Sequence, residues 1–141
     1  MGRDTLTGFL YVLDVIRGRC TPAQVELKIW STAQLDGPEC RIRIPQDPGA
    51  AGKFEVYHLV AMLQGFAVST EREEGSKVNR ADAFAAQCEH GLVKLLDSQW
   101  NQLFVDEMCA FPNAAHDDQV DAVCAAFRTL ARRVSYTLLA A

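Results

Sequence analysis

The segment Cys40-Arg41-Ile42-Arg43-Ile44-Pro45-Gln46-Asp47-Pro48-Gly49-Ala50-Ala51-Gly52-Lys53 sets the architecture of this chain. Cys40, Ile42 and Ile44 alternate with Arg41 and Arg43, which is the two-residue period of a strand. The strand runs into a Pro- and Gly-containing loop over 45–52. Leu59, Val60 and Leu63 then predict a helix from Lys53 to Gln64, closed by Gly65 in a left-handed conformation. Strand, loop and helix in that order are the building unit of an α/β domain, whose ligand sites gather at the carboxyl ends of strands. Asp47 sits at such an end. The same Asp-Pro-Gly also makes a serviceable turn with no chemistry. A phosphate loop is excluded, because 49–54 lacks both the four-residue gap between glycines and a Ser or Thr after the Lys.

The alternation extends in both directions. Residues 8–17, rich in aromatic and β-branched types, predict a largely buried strand. Thr21, Pro22 and Gln24 supply a cap, a first-position proline and a capping-box partner for a helix that carries Val25, Ile29 and Ala33 and stops at Gly37-Pro38. A short strand is expected over Phe66 to Ser69, a polar loop over 71–77, a helix over Arg80 to His90 and a strand over Leu92 to Leu96. Ser98 caps a helix with Trp100, Leu103, Phe104 and Met108. The aspartate-rich segment opens a last helix through Val120, Val123, Phe127, Leu130 and Val134. Trp100, Phe104 and Phe111 are expected in the core.

With 141 residues, 49% of them apolar, the chain is sized for one domain. Fourteen basic against eighteen acidic residues give a formal charge of −4, so any nucleic-acid contact must be local. Five cysteines without a C-x-x-C spacing suggest neither a disulfide framework nor a zinc site and fit a reducing compartment. The run Phe9 to Ile16 is broken by Asp14 and lacks a cleavage site, and no window reaches membrane-span length. A soluble intracellular protein is the expectation.

His116-Asp117-Asp118-Gln119-Val120-Asp121-Ala122 places three carboxylates in five residues at the mouth of the last helix. At about 100° per residue they crowd within roughly a third of the helical circumference. Two readings explain them: acids placed against the free N–H groups and dipole of a helix start, or ligands for a hard divalent metal. Together with Asp47 they form the kind of pair used by two-metal nucleases, in which cations roughly 4 Å apart activate a water and stabilise a leaving oxygen.

These pieces, in order, resemble the C-terminal nuclease domain of the large terminase subunit of tailed bacteriophages. The resemblance is carried by Tyr11 to Arg19 with Pro22, Val25 and Glu26, by Gln46 to Lys53, and by Gly75-Ser76-Lys77 with Arg80-Ala81. It continues through Ala85 to Glu89 with Gly91, Trp100-Asn101, Phe111-Pro112 and His116 to Ala122. That family implies an RNase H-like α/β fold, a mixed sheet with flanking helices, and metal-dependent endonucleolytic cleavage of double-stranded phage DNA during genome packaging in the cytoplasm of the bacterial host. It implies magnesium or manganese held by Asp47 and Asp118, with Asp117 and Asp121 as close supporters. Asp118, with Asp121 one turn behind it, is the favoured member of the cluster. Lys53, Lys77 and Arg80 become candidate DNA-phosphate contacts, and His116 a supporting proton-handling group. Another terminase subunit or the portal would be partners.

The departure from the family lies at the front. The chain is expected to start at the tail of the second strand, around Met1 to Asp4, with Asp4 in a hairpin turn before Gly8. No residue matches the first catalytic aspartate, and the ATPase domain is absent. A sheet incomplete at its N-terminal strand would expose an edge open to self-association, and activity of this chain alone would be weak. The competing reading is a non-catalytic prophage remnant, or a DNA-packaging-associated binding module that keeps the fold without the reaction.

Overall fold

The computed structural model describes residues 1–46, 49–72 and 75–131, with the side chains of Glu71 and Arg72 left out. The chain divides into two compact units, one made of Met1–Val15 with the chain from Lys77 onward, the other of Ile16–Ser76.

The first unit opens with a hairpin. β1 (Gly2–Arg3) pairs antiparallel with β2 (Leu10–Val12). Asp4 makes the turn between them: its carboxylate accepts from the Leu6 N–H at 2.8 Å and from the Thr7 hydroxyl, and its N–H donates to the Phe9 carbonyl. Both bonds favour the ionised carboxylate, the Thr7 hydroxyl most, and they hold its pKa below the ordinary aspartate value. The predicted turn at Asp4 is therefore present, but the strand expected over 8–17 is only three residues long. Its partners β1 and β5 are two and three residues long, and Leu13 and Ile16 are exposed. Strand propensity records fitness for a pleated, half-buried surface, not the presence of a neighbour.

In the second unit α1 (Pro22–Asp36) follows its sequence signals closely. The Thr21 N–H donates to Gln24 Oε1 at 2.9 Å, the helix begins on the proline, and Gly37 (φ 83°) ends it. β3 (Arg41–Gln46) buries Ile44 and pairs in parallel with β4 (Ala67–Arg72), from Arg41 opposite Ala67 to Gln46 opposite Arg72. Between them runs α2 (Ala50–Met62). It starts three residues before the expected Lys53, because Ala50 and Ala51 are strong helix formers and Gly49, at φ 113°, takes the left-handed turn that releases them. Ala33, Ile44, Val56, Leu59 and Leu63 form the core of this unit.

Back in the first unit, α3 (Lys77–Glu89) also starts three residues earlier than expected. β5 (Val93–Leu95) lies parallel to β2, completing a mixed sheet in the order β1-β2-β5. α4 (Asn101–Ala110) and α5 (Asp118–Ala131) follow; the expected Val134 lies outside the described residues. Val12, Phe84, Phe104, Val120, Val123 and Cys124 make the core, with Trp100, Phe111 and Phe127 packed against it. The helical positions Leu103 and Val25 are exposed instead. A cavity of about 580 Å³ borders this core, lined by Phe84, Val93, Phe104, Met108, Val120 and Cys124 among others.

The five thiols are free and unequal. Burial, with the nearby Asp121 charge, pushes Cys124 up to about 11, whereas Cys109 is exposed. Because the thiolate is the reactive form, Cys109 is expected to react with Ellman's reagent at pH 8 in the native protein and Cys124 only after unfolding. Mass mapping of the modified peptides checks this, and early labelling of Cys124 would contradict it.

Candidate functional site

α5 buries Val120, Val123 and Cys124 against the core, and that packing fixes which way its first turn faces. Asp117 and Asp121, four residues apart, are brought to the same side of this turn. On α3, Lys77 and Arg80 are three residues apart and meet them there. The Lys77 ammonium contacts Asp117 Oδ1 at 2.7 Å and also Asp121 Oδ2, and the Arg80 guanidinium donates to Asp121 Oδ1 at 3.1 Å. Asp121 is thus shared between two cations. The early start of α3 makes this possible, since it puts Lys77 in the helix and one turn ahead of Arg80.

Asp118 stands apart. It is exposed and makes no side-chain hydrogen bond or ion pair among the described residues. His116 is exposed as well. Asp47 lies outside the described residues. Lys53 belongs to the other unit, exposed in the first turn of α2.

Two residues unmarked by the sequence reading complete the arrangement. Glu107 on α4 and Gln119 on α5 are both 7% exposed. Glu107 Oε1 accepts from the Gln119 backbone N–H at 2.7 Å, and its Oε2 accepts from the Gln119 side-chain amide. A glutamate within a helix gives no sequence signal that it will be buried.

Desolvation pulls the Lys77 ammonium toward a lower pKa, but its bonds to Asp117 and Asp121 and their charges outweigh this, so its pKa lies above the ordinary lysine value. The folded state therefore holds this proton more tightly than the unfolded chain. The resulting stabilisation is complete below about pH 10, near the unfolded lysine value, and is lost as pH rises through the folded one. Lys77→Met is expected to flatten that alkaline loss. Thermal unfolding midpoints of both proteins from pH 8 to 11.5 check it, and parallel curves would refute it.

Two carboxylate oxygens converging on one cation are a donor set suited to a hard metal ion, and Lys77 holds that position here. Among the described residues, no group of three or more His, Cys, Asp or Glu side chains is placed to hold a metal. No helix among them is long and apolar enough to cross a membrane.

Comparison with curated proteins and with solved structures finds no match for this chain. Comparison with protein families does: residues 4–130 match the model of the terminase RNaseH-like domain. The matched region holds the parallel strands β2 and β5, the β3–β4 pair and the acid-bearing first turn of α5. On that match, which covers most of its length, the chain belongs to the terminase RNaseH-like domain family and its α/β fold is RNase H-like.

Proposed function

We propose that residues 1–141 are a single terminase nuclease domain that cleaves double-stranded phage DNA during genome packaging. The observation that carries the reading is the convergence of Asp117 and Asp121 on the Lys77 ammonium, with Arg80 on the other oxygen of Asp121. Family membership supports it.

In this reading Asp47 and Asp118 hold magnesium or manganese, with Asp117 and Asp121 as supporting carboxylates. When bound, such ions would activate a water toward a DNA phosphodiester and would supply a positive field for the leaving oxygen. The chain's own residues build the seat. Arg80 anchors one oxygen of Asp121, which leaves the other directed, with Asp117 Oδ1, at the shared cation. Lys77 and Arg80 balance the acids when no metal is present, and with Lys53 they contact DNA phosphates when substrate is bound. His116, exposed beside the acids, handles a proton. Another terminase subunit or the portal is the proposed protein partner, and the β5 edge a route to self-association.

The test is cleavage of supercoiled plasmid with manganese by the parent chain and by Asp118→Asn. The parent is expected to nick slowly and the variant to lose on the order of 100-fold, the usual scale for deleting one charged partner of a transition state. No cleavage by the parent, or equal rates, would sink the reading for this chain.

A further inference from the structure

The first N–H groups of a helix have no partner within it and need an outside acceptor. An aspartate just before the helix ordinarily serves, turning its own carboxylate back onto the N–H two or three positions on. Asp117 occupies that place in α5: its carbonyl accepts from the Asp121 N–H at 3.1 Å, the first bond of the helix. Its carboxylate nevertheless points to Lys77. The N–H it would have capped, that of Gln119, donates to Glu107 Oε1 at 2.7 Å.

We infer that Glu107 is a surrogate N-cap for α5, a positioning residue on α4 that takes over the capping task and so releases the Asp117 carboxylate to the cation site. Its carboxylate is buried and grips Gln119 twice, through the backbone N–H and the side-chain amide. A two-point contact holds the helix start in the rotation that the core packing of α5 sets. Asp117 and Asp121 then project together from a first turn anchored on α4. The acids at 117 and 121 are free of helix-end duty because a third acid performs it.

The inference about capping stands on these contacts alone, and only its metal arm rests on the proposed nuclease reading. Unfolding midpoints of the parent, Glu107→Ala, Asp117→Ala and the double variant test it. In the parent, Asp117→Ala is expected to shift the midpoint little. In the Glu107→Ala background Asp117 has become the cap, so its removal is expected to cost a further ~2–4 °C, the shift that one lost cap makes in a chain of this size. Additive effects would overturn the inference.

Should Glu107→Ala fail to fold, Glu107→Gln gives the same answer by amide NMR. Its side-chain oxygen still accepts from Gln119 while the Gln119 amide turns over to accept from the new NH₂. The Gln119 amide resonance is expected to move in Glu107→Gln and to stay in place in Asp117→Asn, and the reverse pattern would overturn the inference. Manganese titration calorimetry adds the metal arm: Glu107→Ala is expected to weaken binding about 10-fold or more, on the scale of lost supporting partners at metal sites, and Glu107→Gln to retain it. Non-additive midpoints without manganese binding by the parent would sustain the capping role and overturn the metal reading instead.

Discussion

Asp121→Ala is expected to lower the free energy of unfolding by about 1.5–3 kcal/mol, the range for hydrogen bonds to charged groups. The carboxylate lies between Lys77 and Arg80, and its removal brings two positive charges face to face across the space it leaves. Arg80 is only 10% exposed, so solvent replaces the lost partner poorly there. Asp121 itself is 28% exposed, which keeps the expected cost below that of a fully buried pair. Asp121→Asn, which retains an oxygen for the guanidinium, should recover roughly half of the loss. Urea unfolding of the three proteins at neutral pH checks this. Equal midpoints for parent and Asp121→Ala would mean that the shared carboxylate contributes nothing to stability.

Phe104→Ala is expected to cost more, about 3–5 kcal/mol. Phe104 is 4% exposed and sits at the meeting of α4 with Val12, Phe84 and Val120, edge-on to Trp100 with ring centroids 5.8 Å apart at 86°. It also lines the cavity of about 580 Å³, so truncation enlarges an existing void that its neighbours have not closed. Leu103→Ala is the internal control. It is one residue away on the same helix but 56% exposed, and its loss should cost under about 0.5 kcal/mol. Denaturation followed by circular dichroism separates the two; a comparable loss for both would contradict the packing of α4 described above.

The consequences for the site come through α4 and α5 together. Phe104 and Glu107 are three residues apart on α4, one anchoring the helix in the core and the other holding the start of α5. A substitution at Phe104 is therefore expected to loosen the acidic turn as well as the core. Much of this is built from local signals. The capping box at Thr21 and Gln24, the alternation of Ile42 and Ile44, Gly37 and Gly91 beyond their helices, and the acids opening α5 are all legible because each depends on neighbours within a few residues. Helix starts are less so: α2 and α3 each begin three residues early, since element boundaries are the least sharply written part of a helix.

The sequence by itself determined the order of strands and helices, the family, and the presence of an acidic cluster at a helix start. What only the tertiary structure decided is which acids act together and what faces them. Asp117 and Asp121 share Lys77 while Asp118 turns to solvent, because the rotation of α5 is set by Val120, Val123 and Cys124 entering the core. Lys77 and Arg80 meet Asp121 across more than forty residues of chain, and Glu107 reaches Gln119 from another helix. Such contacts leave no trace in local periodicity, since a charged side chain has the same sequence signature whether it is solvated or holds the end of a distant helix.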